Sequence, residues 1–237
     1  MTAGVGRLTE VWSHRGRVTF GDEAQENTVA AFLKASEAEV AGIELDVWLT
    51  SDGAWVVHHD RRCAVGDLDR LRRAEVPETV PELSSALAAC SVGTVNVELK
   101  VPPLAGRSEA RRLGRELAAY LSPEGPMAEK ARRLVISSFS RDAVDAALGA
   151  GVPTGLLLET LPSHADLASL AREGYWAAHV EHIHLGPREV ATSHEAGLRV
   201  VAWTVDREDD IARLVRQGVD VLISNLPVQA AAVARGP

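Results

Sequence analysis

The chain has 237 residues, 46% hydrophobic and 24% charged, enough for the core of one large globular domain. A net charge of −8 and a pI near 5.5 argue against nucleic acid as a partner, which would call for a basic face. No apolar run is long enough to span a bilayer and the start, MTAGVGRLTEVW, has no signal-peptide core, so the expected setting is cytoplasmic, with Cys63 and Cys90 as reduced thiols.

Residues 11–14 read as a short apolar strand ending in Ser-His-Arg-Gly. After a polar stretch, a helix is predicted over 28–40, with Val29, Phe32, Leu33 and Ser36 on one face and Glu37 and Glu39 off it. Residues 42–49 form the second strand, in which Ile43, Leu45 and Val47 alternate with Glu44 and Asp46. Asp52-Gly53 then predicts a tight hairpin. A two-residue loop sets His59 opposite Asp46; a four-residue loop over 50–53 sets it opposite Glu44. Residues 61–81 read as a charged loop with a short helical turn, and Pro81 as the opening of a helix to Cys90.

The third strand covers 94–100, followed by the break Pro102-Pro103 and a helix over 108–121 with Ser108 as its N-cap. A regular beat follows. Strands over 134–138, 154–158, 177–183, 199–205 and 219–224 alternate with helices over 141–148, 164–172, 187–196, 208–217 and 227–234, four of them closed by glycine. Eight strand–helix units without a linker predict a single domain over 1–237. The expected fold is a closed (β/α)8 TIM barrel with a β-hairpin after strand two. An open doubly wound sheet would want a Gly-rich phosphate turn after its first strand, and HRGRVTFG lacks GxGxxG.

Strands of such a barrel are buried on both faces, so a mid-strand carboxylate is costly unless paired or bound to a metal. Active sites of the fold lie at the C-terminal strand ends. The polar residues there are His14 and Arg15; Glu44 and Asp46, with His59 returned by the hairpin; Glu98 and Lys100; Ser137 and Ser138; Glu181, His182 and His184; and Trp203 with Thr204. Glu44, Asp46 and Glu98 come from neighbouring strands and suit one hard divalent cation, Mg²⁺ or Ca²⁺, better than zinc. Arg15 and Lys100 could neutralise a phosphate, and His14 and His59 could carry protons near neutral pH. Together these suit phosphodiester chemistry; paired core ions around a barrel mouth are the alternative. Ser137 and Ser138 read as a hydrogen-bonded strand end, and Trp12, Trp48, Trp55 and Trp176 as packing residues. Arg61, Arg62, Arg70, Arg72 and Arg73 form a basic cluster, either a solvated loop or a hold on an anionic headgroup.

Seven segments carry a resemblance. They are SHRG at 13–16, ENT at 26–28, ELDVWLTSDG at 44–53, VVHHD at 56–60, VNVELK at 95–100, ISSF at 136–139 and VVAWTVD at 200–206, the last followed by GVDVLISNLP. In this order they resemble the glycerophosphodiester phosphodiesterase family. The resemblance implies a TIM barrel that hydrolyses a small-molecule glycerophosphodiester to sn-glycerol 3-phosphate and an alcohol. It implies that Glu44, Asp46 and Glu98 hold the metal and that His14 and His59 are the catalytic pair, either one as the base. Arg15 and Lys100 would bind phosphate, Asn27 would support the site and Trp203 would line the pocket. Gln25 replaces a usual proline, Asn225 replaces a usual aspartate near the last strand's end, and the segment from His59 to Glu98 is short. Two other readings remain. A related phospholipase D or lyase acting on lysolipids would want an exposed apolar loop near the mouth, and none is evident. A non-catalytic phosphoester-binding barrel would lack one of His14, His59, Glu44, Asp46 or Glu98, and all five are present.

Overall fold

The alternation in residues 42–49 sets the pattern of the fold. In the computed structural model, which describes residues 8–38, 40–127, 134–160 and 163–236, β2 (Gly42–Leu49) is buried along its whole length. Ile43, Leu45 and Val47 pack in one cluster with Phe32, Leu83 and Leu87 of the flanking helices. Each such burial contributes about 1.5–3 kcal/mol. Glu44 and Asp46, on the other face, point into the barrel.

The other barrel strands are β1 (Glu10–His14), β6 (Thr94–Leu99), β7 (Leu134–Ser138), β8 (Thr154–Leu158), β9 (Ala177–Glu181), β10 (Arg199–Trp203) and β11 (Val221–Ser224). They pair in parallel in that order, with β2 between β1 and β6, and β1 pairs with both β2 and β11, so the sheet closes on itself. The helices are α1 (Val29–Glu37), α2 (Leu83–Ala89), α3 (Arg107–Leu121), α4 (Arg141–Ala147), α5 (His164–Glu173), α6 (Pro187–Glu195), α7 (Glu208–Gln217) and α8 (Pro227–Arg235). This is the expected (β/α)8 barrel. Trp12, Val135, Ala177, Val201, Val221 and Ile223 form a smaller apolar cluster of barrel-strand residues. Trp12 stacks on Trp176, with ring centroids 6.3 Å apart, and Arg199 lies over the Trp176 ring. His179 is fully buried, and neither of its ring nitrogens has a hydrogen-bond partner among the described residues.

The hairpin differs from both expected registers. β2 runs past the end of β1 and pairs antiparallel with β3 (Trp55–Val57): Val47 faces Val57, Trp48 faces Val56 and Leu49 faces Trp55. The loop has three residues, 51–53, because Thr50 N–H donates to Ala54 O at 2.9 Å and Gly53 N–H to Thr50 O at 3.0 Å. Gly53 takes the left-handed φ of 88° that such a loop demands. The Thr50 hydroxyl fixes this choice by accepting from Ala54 N–H and donating to Asp52 Oδ1. The ladder ends at Val57, with His58 N–H on Asp46 O, so His59 has no cross-strand carboxylate partner.

Several boundaries also move. α3 is entered from Gly106, which puts Ser108 inside the first turn rather than at the cap. Pro81 precedes α2, whose N-cap is Glu82, and its carbonyl accepts from Val57 N–H. The charged loop contains a small hairpin, β4 (Arg62–Cys63) with β5 (Gly66–Asp67), and two 3₁₀ turns. β9 stops at Glu181 and a 3₁₀ turn takes His182–His184. Thr28 caps α1, accepting from Ala31 N–H; Glu39 lies outside the described residues. Among the described residues no helix is long and apolar enough to cross a membrane.

Candidate active site

The link from β1 to α1 is wound tightly to aim two side chains at one carboxylate. Arg15 and Asn27 both hold left-handed backbone, φ 56° and 57°. Non-glycine residues there cost on the order of 1–3 kcal/mol each and persist where neighbours over-determine them. Here Arg15 N–H donates to Glu44 O and Asn27 N–H to Arg15 O, both at 2.9 Å. Gly16 follows at φ 77°, and a Cβ on it would meet the Phe32 ring at 2.9 Å. Asn27 Nδ2 donates to Asp46 Oδ2 at 2.8 Å, and Arg15 Nε lies 3.2 Å from the same oxygen. Arg15 also donates to Glu26 Oε1 at 2.7 Å. Lys100 reaches Asp46 from just past the end of β6: its Nζ is 2.8 Å from Oδ1 and also donates to Glu98 Oε1.

These neighbours separate the three carboxylates electrostatically. Burial pushes Asp46 up, but Lys100 and Arg15 outweigh it and hold the group at about 2. Burial and then the Asp46 charge push Glu98 up to about 7, against the pull of Lys100. Burial, Asp46 and Glu98 drive Glu44 well above the usual carboxylate range. Glu44 Oε1 is buried with no hydrogen-bond partner among the described residues. The three residues offer oxygens within 4.8 Å of one another. Three converging carboxylates, one with an oxygen left unpartnered among the described residues, make an all-oxygen donor set that fits a hard metal ion.

His14 and His59 line one cleft of about 280 Å³ with Glu44, Glu98, Arg15 and Lys100. Burial, aided by the Arg15 charge, lowers His14 to about 4. Its Nε2 is 3.9 Å from Glu44 Oε2. His59 is more open, with a side chain 41% exposed, and its Nδ1 is 2.8 Å from Asp60 Oδ1. The chain leaves the ladder after Val57, and this departure places His59 rather than His58 over the cleft. Trp203 forms part of the facing wall and meets Phe139 edge to face at 5.5 Å.

Asn96 lines the cleft too and was not among the sequence candidates. Its position two residues before Glu98, on the same strand face, was the available signal. Its Nδ2 donates to Ser137 Oγ at 3.0 Å, while the buried Oδ1 has no hydrogen-bond partner among the described residues. Other candidates lie elsewhere. His182 faces Asp210 at 3.9 Å and His184 faces Glu181 at 3.6 Å, and neither lines the cleft. Ser138 Oγ donates to Leu99 O and accepts from Ser140 N–H, a bonded strand end. The basic cluster is tied down: Arg61 to Asp69 at 2.7 Å, Arg73 to Glu82 at 2.9 Å and Arg72 to Asp52 at 3.8 Å. Exposed apolar side chains do stand on loops that follow barrel strands, contrary to expectation. Phe20, Leu104 and Ile183 are 79%, 96% and 64% exposed, and Phe139 is 44% exposed beside the cleft.

Comparison with known proteins agrees with this architecture. A glycerophosphodiester phosphodiesterase of Caldanaerobacter subterraneus subsp. tengcongensis is 29% identical over 244 residues, covering 92% of this chain and 95% of that protein. The crystal structure of a glycerophosphodiester phosphodiesterase from Parabacteroides distasonis superposes with a TM-score of 0.84 at 22% identity, covering 97% of this chain and 98% of the other. An Oleispira antarctica phosphodiesterase, solved in complex with the product sn-glycerol-3-phosphate, superposes with a TM-score of 0.80 at 24% identity and the same coverages. The family model for glycerophosphoryl diester phosphodiesterases matches residues 14–229, a span that takes in His14, the carboxylate trio, His59, Lys100 and Trp203. On that match the chain belongs to the glycerophosphoryl diester phosphodiesterase family and is a phosphodiester hydrolase.

Proposed function

We propose that the protein hydrolyses glycerophosphodiesters to sn-glycerol 3-phosphate and an alcohol, using His14 and His59 as proton carriers and a divalent cation held by Glu44, Asp46 and Glu98. The observation that carries this reading is the convergence of Glu44, Glu98, Arg15, Lys100 and both histidines on one cleft, with the buried Asp46 within reach of the other two carboxylates and of Lys100. A cation bound by the trio would supply Lewis-acid polarisation of the phosphate ester, and the all-oxygen donor set favours Mg²⁺ or Ca²⁺.

The residues themselves do the following. Arg15 and Lys100 face the phosphate with positive charge that counts most as negative charge builds up on it. Burial keeps His14 neutral near pH 7, so it can take the proton of the glycerol 2-hydroxyl as that oxygen bonds to phosphorus. His59, in its protonated form, gives a proton to the alcohol oxygen as its bond to phosphorus breaks. Its Nδ1–H rests on the Asp60 carboxylate, which can only accept, and this leaves Nε2 to face the leaving group. Water then opens the cyclic phosphate with the proton roles reversed. Asn27 holds Asp46, and Trp203 with Phe139 shapes the apolar wall against the substrate. A cytoplasmic setting is part of the proposal, in line with a sequence that holds only two cysteines, Cys63 and Cys90.

A second reading, a lysolipid as substrate, is favoured by Phe139 at the cleft and by the exposed Phe20, Leu104 and Ile183 on strand-end loops. One assay separates the two: phosphate-ester products released from glycerophosphodiesters and lysolipids, with Mg²⁺, Ca²⁺ or chelator. Cation-dependent release of glycerol 3-phosphate from the water-soluble diesters is the expected result. Turnover confined to lysolipids would replace the first reading with the second, and full activity after exhaustive chelation would remove the metal.

A further inference from the structure

His14 is held from the far end of the chain. Its Nδ1 lies 2.8 Å from Asn225 Oδ1, and Asn225 Nδ2 donates to Asp206 Oδ2 at 2.7 Å. Asp206 is itself fixed. Its Oδ1 accepts from Asn225 N–H at 2.8 Å and from Ser224 Oγ at 3.0 Å, while Ser224 Oγ accepts from Leu226 N–H. A carboxylate only accepts hydrogen bonds, so Asn225 must turn its NH₂ toward Asp206 and its carbonyl oxygen toward His14. That oxygen also only accepts. The proton of the neutral imidazole therefore sits on Nδ1, and the lone pair sits on Nε2, the nitrogen on the Glu44 side.

We infer that Asp206, acting through Asn225, is a positioning residue that selects the His14 tautomer and so leaves Nε2 as the proton acceptor of the proposed reaction. The kinetic part rests on that reading; the tautomer is a property of the resting protein and can be measured without substrate.

The relay makes an unusual demand of an isosteric change. In Asp206→Asn the remaining oxygen stays with the two donors now on Oδ1, and an NH₂ group replaces Oδ2. Asn225 must then rotate to offer its oxygen to that NH₂ and its own NH₂ to His14. Nδ1 becomes the acceptor and the proton moves to Nε2. The double variant Asp206→Asn/Asn225→Asp restores the original polarity, because a carboxylate at 225 accepts from both sides.

The test is long-range ¹H–¹⁵N correlation of the histidine rings in cation-free, ¹⁵N-labelled protein at neutral pH, alongside steady-state kinetics with cation and diester. The wild type is expected as Nδ1–H and Asp206→Asn as Nε2–H. In the latter kcat should fall at least about a hundredfold while KM changes little, since the wrong tautomer removes the base and not the binding groups. The double variant should return to Nδ1–H and recover most of kcat. A wild-type ring protonated on Nε2, an Asp206→Asn ring still protonated on Nδ1, or an inverted ring with unchanged kcat would each overturn the inference. If Asp206→Asn does not fold, the wild type and the double variant still decide it. If no diester is hydrolysed, the functional reading fails, while the ring spectra still judge the relay.

Discussion

Asp46 touches more of the site than any other carboxylate, yet its own charge is well compensated; the exposed demand lies with its neighbours. Glu98, near 7, and Glu44, higher than usual, hold protons that a bound cation must displace. Cation affinity should therefore rise as pH increases through about 7, with proton release on binding. Calorimetry in buffers of different ionisation enthalpy checks this; binding without proton release below pH 7 would contradict it. His59→Ala should lower kcat at least about a hundredfold, the low end for loss of an acid–base group, in a steady-state assay. Glu44, Asp46 and Glu98 were legible because a charge inside an otherwise apolar strand needs a reason to be there. The partnership of His14 with Asn225 was not, since it joins residues 211 positions apart.

At the scale of elements, the strand–helix beat was read directly from periodicity, because both faces of each strand must be apolar and each helix needs only one such face. The errors fall where local cues are shared by several geometries. Asp52-Gly53 suits loops of different lengths, and the Thr50 hydroxyl, not the dipeptide, decides among them. Gly106 and Ser108 both suit the entry to α3, and the backbone uses the first. The β1–α1 link should be the most sensitive connection. Gly16→Ala would force a left-handed alanine into the Phe32 ring and shift Arg15. A loss of about 1–3 kcal/mol in urea unfolding is expected, together with a higher KM for diester. Wild-type stability with wild-type KM would show that the link tolerates displacement.

For the molecule as a whole, the barrel interior carries a buried imidazole, His179, whose ring nitrogens find no hydrogen-bond partner among the described residues. Burial lowers His179 from 6.5 to about 3. Between those values the folded state binds fewer protons than the unfolded chain, so His179 makes stability fall as pH drops through that window. His14 has the same sign; Glu44 and Glu98, raised when folded, act oppositely toward pH 7. His179→Leu should thus be at least as stable as wild type at pH 7 and lose less stability by pH 4, read from urea midpoints at both. An unchanged difference between the two pH values would show that His179 finds a proton-accepting partner. Closure of the barrel has a temporal side as well. The three carboxylates, Arg15 and Lys100 are all made before β11, which seals the sheet against β1, and before Asn225, which orients His14. A nascent chain can therefore gather its anionic pocket before the barrel closes, but it acquires an oriented His14 only once Asn225 has been made.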